Sequence, residues 1–342
     1  MTAKRDALID DFLARHGWAG ARRSHLAGDA SNRRYERIVD EGRSAVLMDA
    51  APPSEDVRPF IKIARHLKGL GLSAPEIFSI DEEVGLLLLE DLGDDTYTRV
   101  LACGGDEQVL YERAVDVLID LHRRPAEQAL PPGLPPYGNG RLLDEAFLLP
   151  QWTYPLFAGA PASEQIRRAY GDIWLSLFPL VHSGPKTLVL RDYHVDNLLW
   201  LADRDGIRAC GLLDFQDAVS GHPAYDLMSL LEDARRDLGE GLKIEMMQRY
   251  LAAFPDIDDD SFHTAYTILA AQRHAKVIGI FTRLSLRDGK PVYLVHIPRV
   301  WRLLEAALEH PALAEMKLWL DTHMPRTMRA IPPIKLPSNG VI

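Results

Sequence analysis

The sequence predicts an α+β protein, a small antiparallel sheet followed by a larger, mainly helical region. Three observations carry this. Short extended stretches separated by turn residues fill most of the first 92 positions, a single amphipathic helix interrupts them, and helix-period apolar patterns dominate after Gly93. With 342 residues the chain is long enough for two packed units, and the change of pattern sets their expected limits at 1–92 and 93–342.

The elements follow in order. Ile9, Phe12 and Leu13 recur at helical spacing among charges, a short amphipathic helix. Leu26 to Asn32 is a turn-forming cluster, and Arg33 to Val39 behind it is extended, which reads as a hairpin. A third strand runs from Ser44 to Met48. Phe60, Ile61, Ala64 and Leu67 mark a helix over 57–70, stopped by Gly69 and Gly71. Ile77 to Ile80 and Gly85 to Leu89 form a second hairpin. Beyond Gly93, one long helix spans Glu107 to His122, and a proline-rich connection runs from Pro131 to Pro136. Two more helices cover Leu142 to Trp152 and Ala162 to Leu180. Strands return at Thr187–Leu190, Leu198–Leu201 and Ile207–Leu213, and helices fill most of the rest before an extended tail from Ile331.

Composition narrows the class. Hydrophobic residues make up 47% and charged residues 26%, ordinary for a soluble globular protein. The net charge of −10 argues against a protein that coats nucleic acid or anionic lipid. The N-terminal stretch lacks the unbroken apolar core of a signal peptide, and no apolar run approaches the ~20 residues needed to cross a bilayer. Cys103 and Cys210 lie far apart without CxxC spacing, so neither a disulfide framework nor a zinc site is expected, and a cytoplasmic setting is. No obligate protein partner is evident.

The most informative stretch is Leu190-Arg191-Asp192-Tyr193-His194-Val195-Asp196-Asn197-Leu198-Leu199-Trp200, followed by a strand that ends in Leu212-Leu213-Asp214-Phe215. If the two apolar strands pair as a hairpin, Asn197 begins one and Asp214 ends the other. Their side chains then meet at one open end, within about one 5 Å strand spacing, with Asp192 on the loop leading in. Phosphoryl transfer calls for this set. A divalent ion, held by hard oxygen ligands, neutralises the transferring group, and Asp214 and Asn197 offer a charged and a neutral oxygen. A separate carboxylate orients the attacking hydroxyl and takes its proton, a role open to Asp192. Each residue alone is an ordinary turn or cap residue; the combination carries the reading.

These segments resemble the H-G-D-x-H-x-x-N-x-L loop and the I-D-F/W-x-x-A-x-x-G-x-P-x-x-D-L segment of the aminoglycoside phosphotransferase and choline kinase superfamily. The resemblance implies a two-lobed protein-kinase-like fold with a nucleotide-binding lobe over 1–92 and a catalytic, substrate-binding lobe over 93–342. It also implies ATP and Mg2+ as cofactors, Asp192 as base, Asn197 and Asp214 on the metal, and Asp226 as support for the catalytic loop or else a helix N-cap. Gly-Asp-Ala-Ser-Asn-Arg-Arg-Tyr from Gly28, Leu-Leu-Leu-Leu-Glu-Asp-Leu-Gly-Asp from Leu86 and Gln-Arg-His-Ala-Lys-Val-Ile-Gly-Ile-Phe from Gln272 are similar to one bacterial branch. That branch phosphorylates N-acetylmuramate and N-acetylglucosamine at the anomeric hydroxyl for cell-wall recycling. Kinases of choline, homoserine or aminoglycosides would share the catalytic set, and a non-catalytic nucleotide-binding scaffold is a further alternative.

One departure stands out. Kinases carry a lysine on the third strand paired to a glutamate on the next helix, yet Ala45 to Asp49 holds no lysine, and the helix after Asp56 has Lys62 and Arg65 but no glutamate. Arg33 or Arg34 is a candidate for the missing charge; solvated arginines with backbone amides doing the holding is the other reading. Gly28, Ser31 and Asn32 are expected to cover the phosphates, and backbone groups of Glu90 and Leu92 to meet adenine. Substrate candidates are Tyr193, His194, Gln216, Asp217, Glu145 and Trp152. Gln272 to Lys276 and Arg283 either meet a substrate carboxylate or form a solvated basic face, the latter being the default.

Overall fold

The computed structural model describes residues 3–26 and 32–334. In chain order these form α1 (Ala3–Arg15), β1 (Arg22–His25), β2 (Arg34–Asp40), β3 (Arg43–Asp49), α2 (Arg58–Gly69), β4 (Ile77–Asp81) and β5 (Leu86–Leu89). Next come α3 (Tyr97–Ala102), α4 (Glu107–Arg123), α5 (Ala126–Ala129), α6 (Asn139–Ala146), α7 (Tyr154–Ala158) and α8 (Glu164–His182). Four short strands follow: β6 (Thr187–Val189), β7 (Leu198–Trp200), β8 (Cys210–Leu212) and β9 (Val219–Gly221). Helices α9 (Ala224–Leu231), α10 (Glu240–Ala252), α11 (Asp259–Asp288), α12 (Ile297–Ala307) and α13 (Ala314–His323) complete the described chain.

The fold is α+β, and the chain groups into two compact units. One comprises Met1–Leu134 with Leu190–Ala218. Its sheet is antiparallel throughout, in the order β1-β2-β3-β5-β4. Alternation along the strands puts Ile38, Ala45, Leu47, Leu86 and Leu88 on one face, in a core shared with Ile9, Phe12, Leu13 and Trp18 of the α1 region. Arg5 of α1 reaches over that face to Asp49, with Nε donating to Oδ1 at 3.0 Å. The β7–β8 hairpin belongs to the same unit and pairs Leu198 with Leu212. It is tied down at both sides: Trp200 N–H donates to Asp95 O (2.8 Å), and Leu212 N–H to Ser73 O (2.9 Å).

The other unit comprises Pro135–Val189 with Val219–Ile342. Its axis is α11, 30 residues long and capped by Asp258, whose carboxylate accepts from Ser261 N–H at 2.7 Å. Apolar and small residues lie on nearly every side of α11, as in a helix enclosed by neighbours. Close approach is sharpest at Gly279, where a Cβ would stand 2.3 Å from the Leu148 carbonyl carbon. Gly279→Ala should gain about 1 kcal/mol of helix propensity but lose up to about 3 kcal/mol to overpacking against an unyielding backbone. The expected outcome is a net loss visible as a lower urea midpoint; an unchanged or higher midpoint would refute it.

Three expectations need correction. The strand expected over Ile207–Leu213 is shorter, because Gly206–Ala209 winds into a single 3-10 turn and only Cys210–Leu212 pairs. The helix expected over Leu142–Trp152 begins at Asn139, ends at Ala146 and passes into a π-helical turn over Leu149–Thr153, with Pro150 within it. Strand β9, which pairs with β6, was not anticipated: Val-Ser-Gly is too short to show alternation.

Candidate active site

The β7–β8 hairpin sets the geometry. Leu213 N–H donates to Asn197 O at 3.0 Å, so the residues flanking the two strands stay paired one step past the ladder, and Asp214 stands just beyond. Asn197 Nδ2 lies 3.4 Å from Asp214 Oδ2, and it donates to the Asp192 backbone carbonyl at 2.9 Å. Asn197 therefore contacts both acidic residues expected beside it. The loop between is closed locally, with Asn197 N–H on His194 O (2.9 Å) and Asp192 N–H on Leu190 O (3.0 Å).

Two backbone positions here are unusual. Arg191, directly before Asp192, has φ +73°, and Asp214 itself has φ +57°. Aspartate tolerates the left-handed region better than most residues; arginine does so less readily. Side chains held in such conformations cluster at functional sites, and both flank the convergent polar groups.

The sheet side of the site is held by charge. Arg33, just before β2, donates from Nε to Glu55 Oε2 at 3.1 Å, while Asn32 N–H donates to the other oxygen of Glu55 at 3.0 Å. Burial alone would lower the Arg33 guanidinium; interactions with Tyr35 and Glu55 and, more weakly, with Asp214 hold it above its ordinary value. Arg34 is exposed. Arg37 of β2 forks onto Asp91 (Nε, 2.7 Å) and Asp94 (Nη1, 2.8 Å), cross-linking β2 to the segment that leaves β5. Its hydrogen bonds to Asp94 and Asp91 raise its pKa, and those from Arg37 lower that of Asp94. The Glu90 N–H donates to Glu76 O at 2.8 Å.

The remaining sequence candidates fall in varied settings. Gly28 and Ser31 lie outside the described residues. Tyr193 is 2% exposed and its hydroxyl donates to Ala114 O at 2.8 Å, a packing role on α4. His194 is buried, with Nε2 3.3 Å from Asn197 Nδ2. Gln216 is buried and donates to Asp214 Oδ1 at 2.6 Å, so it steadies that carboxylate. Asp217 is exposed and Leu92 half-buried. In the other unit, Trp152 is half-buried, and Glu145 gathers Tyr137 OH (2.5 Å), Gln272 Nε2 (3.4 Å) and Lys276 Nζ (3.3 Å) on one oxygen. Asp226 is fully buried in the first turn of α9, whose N-cap is Pro223, so it is not the cap residue.

The default of a solvated basic face on α11 does not hold. Gln272, Arg273, His274 and Lys276 are all buried. His274 Nε2 lies 2.7 Å from Glu232, which also accepts from Lys243 (2.7 Å) and Tyr266 (3.1 Å). Burial would raise Glu232, but His274 and Lys243 together hold it below the usual carboxylate range. Buried charges of this kind persist because they are paired.

Sequence reasoning passed over Glu55, Arg37, Asp91 and Asp94. Glu55 carried a signal: it stands three residues ahead of α2, just before the helix in which a kinase places its glutamate. The Arg37 fork carried none, since the partners are 54 and 57 residues away.

Comparison with known proteins bears on this geometry. The model of a family described as "Phosphotransferase enzyme family" matches residues 23–262. An N-acetylmuramate/N-acetylglucosamine kinase from Caulobacter vibrioides is 36% identical, over 95% of this chain and 98% of its own length. The kinase of the same name from Pseudomonas aeruginosa is 36% identical over 91% of this chain and 92% of its own. Among solved structures, a choline kinase from Streptococcus pneumoniae superposes with a TM-score of 0.60 at 12% identity, covering 90% of this chain and 100% of that one. An ADP-bound aminoglycoside phosphotransferase gives 0.57 at 14% identity, covering 90% and 99%. The fold is thus protein-kinase-like. Among the described residues no helix is long and apolar enough to cross a membrane.

Proposed function

The chain belongs to the phosphotransferase enzyme family, and from that premise we propose that it is a cytoplasmic, ATP- and magnesium-dependent kinase of N-acetylmuramate and N-acetylglucosamine. It transfers phosphate to the anomeric hydroxyl and yields sugar 1-phosphates for peptidoglycan recycling. Residues 1–92 act as the nucleotide-binding lobe and 93–342 as the catalytic and substrate-binding lobe. The observation that carries the reading is the meeting of Asn197 and Asp214, 3.4 Å apart, beside the backbone of Asp192.

The donor set fits magnesium. Asn197 Nδ2 donates to the Asp192 carbonyl and lies 3.4 Å from Asp214 Oδ2, which fixes the amide; its oxygen would be the neutral hard ligand, with the Asp214 carboxylate as the charged one. One carboxylate, one amide oxygen and substrate phosphates suit an ion that dehydrates reluctantly and keeps several waters. Bound there, magnesium supplies charge neutralisation to the phosphates. Asp192 orients the sugar hydroxyl and accepts its proton, and Gln216 holds Asp214 in place. The Glu90 carbonyl and Leu92 backbone meet adenine. The names of the two relatives at 36% identity support the sugar assignment.

The test is incubation with magnesium ATP and a panel of N-acetylmuramate, N-acetylglucosamine, choline, homoserine and an aminoglycoside, following ADP release. Turnover of the two sugars is expected, with a product phosphate that brief acid treatment removes. Turnover of an amino alcohol and of neither sugar would overturn the assignment.

A further inference from the structure

We propose that Arg33 and Glu55 form the phosphate-positioning ion pair of this enzyme, moved from the third strand and the following helix to the entry of β2 and the segment before α2. The proposal rests on the ATP-dependent reading above and adds the residues that hold the nucleotide's phosphates.

The third strand carries no cation at the usual place. Ala45 and Leu47 face the α1 core, so strand alternation turns Val46 and Met48 to the opposite face, where a phosphate-holding lysine would project. Met48 there is fully buried and sits opposite Tyr35 in the ladder. Asp49, the last residue of β3, is engaged by Arg5. Helix α2 is no better a source: Lys62 and Arg65 are exposed, and Lys62 Nζ donates to Pro132 O.

Arg33 has what those positions lack. Its side chain is 9% exposed and that of Glu55 13%, with 3.1 Å between Nε and Oε2, and Arg33 lies within electrostatic reach of Asp214. A sheltered cation, paired to Glu55 and within electrostatic reach of the carboxylate assigned to the metal, is the kind of group nucleotide phosphates would need here. Arginine suits a shifted site, since its planar guanidinium carries five N–H donors in a fork that matches both carboxylate and phosphate oxygens, whereas lysine has all its donors on one atom. Glu55 does a second job. Its other oxygen takes the Asn32 N–H, at the exit of the turn expected to cover the phosphates, so one carboxylate sets both the cation and the end of that turn.

The experiment compares ADP and adenosine binding by calorimetry in the full-length protein, with magnesium and without sugar. Arg33→Ala should weaken ADP at least tenfold and raise the KM for ATP similarly, with adenosine within twofold of wild type. Arg33→Lys should recover part of the ADP affinity, and Glu55→Gln should shift ADP in the same direction as Arg33→Ala but less far. Arg34→Ala should match wild type. Equal weakening of ADP and adenosine in both Arg33 variants would mark a merely structural role and overturn the proposal, as would ADP affinity unchanged in Arg33→Ala. Because no sugar is present, failure of the sugar assignment would leave this result standing, and the reverse also holds.

Discussion

Asp192→Asn is expected to lower kcat by about 10³–10⁴-fold, the upper range for loss of a general base, with ATP affinity within about twofold of wild type. The structure explains why the loss should be confined to chemistry. The loop around Asp192 is held through its backbone: its carbonyl accepts from Asn197 Nδ2 at 2.9 Å and its N–H donates to Leu190 O at 3.0 Å. An asparagine keeps both contacts and the side-chain shape while removing the proton acceptor. Single-turnover rates with N-acetylglucosamine, beside calorimetric ATP titration and a thermal melt, separate the effects. A variant within tenfold of wild-type kcat would remove Asp192 from its assigned role.

The sheet and the hairpin were readable because their signals are local. Each strand of the β1–β5 sheet is bounded by turn residues, and the β7–β8 pair is flanked by the polar residues that matter, so spacing alone brought Asn197 to Asp214. What escaped is non-local. The Arg37 fork onto Asp91 and Asp94 depends on how β2 lies against the exit of β5, which no periodicity encodes. The burial of Gln272 to Lys276 escaped for a related reason. Their polarity reads as a surface face, whereas α11 is enclosed, pairing Lys276 with Glu145 and setting His274 against Glu232, 131 and 42 residues away. Glu55 shows a narrower limit: helical spacing points to an ion-pair partner within α2, and the partner stands before its first turn.

Asp214→Asn should abolish the magnesium dependence of nucleotide binding and reduce kcat by roughly 10³-fold, as catalysis of phosphoryl transfer is almost wholly positioning and electrostatics. Asparagine is the informative replacement. At φ +57° an alanine would add backbone strain of about 1 kcal/mol or more and mix folding with function, whereas asparagine accepts that conformation and can still take the Gln216 hydrogen bond made at 2.6 Å. Only the charge is lost. In EDTA the variant and wild type should therefore bind ADP alike, and added magnesium should tighten wild type alone. Asn197→Ala should show the same pattern more weakly, because a neutral ligand contributes less than a carboxylate to holding a divalent ion. Magnesium that tightened ADP binding to Asp214→Asn by the wild-type factor would mean the ion is held elsewhere, and the 3.4 Å approach of Asn197 to Asp214 would then be a hairpin contact without catalytic meaning.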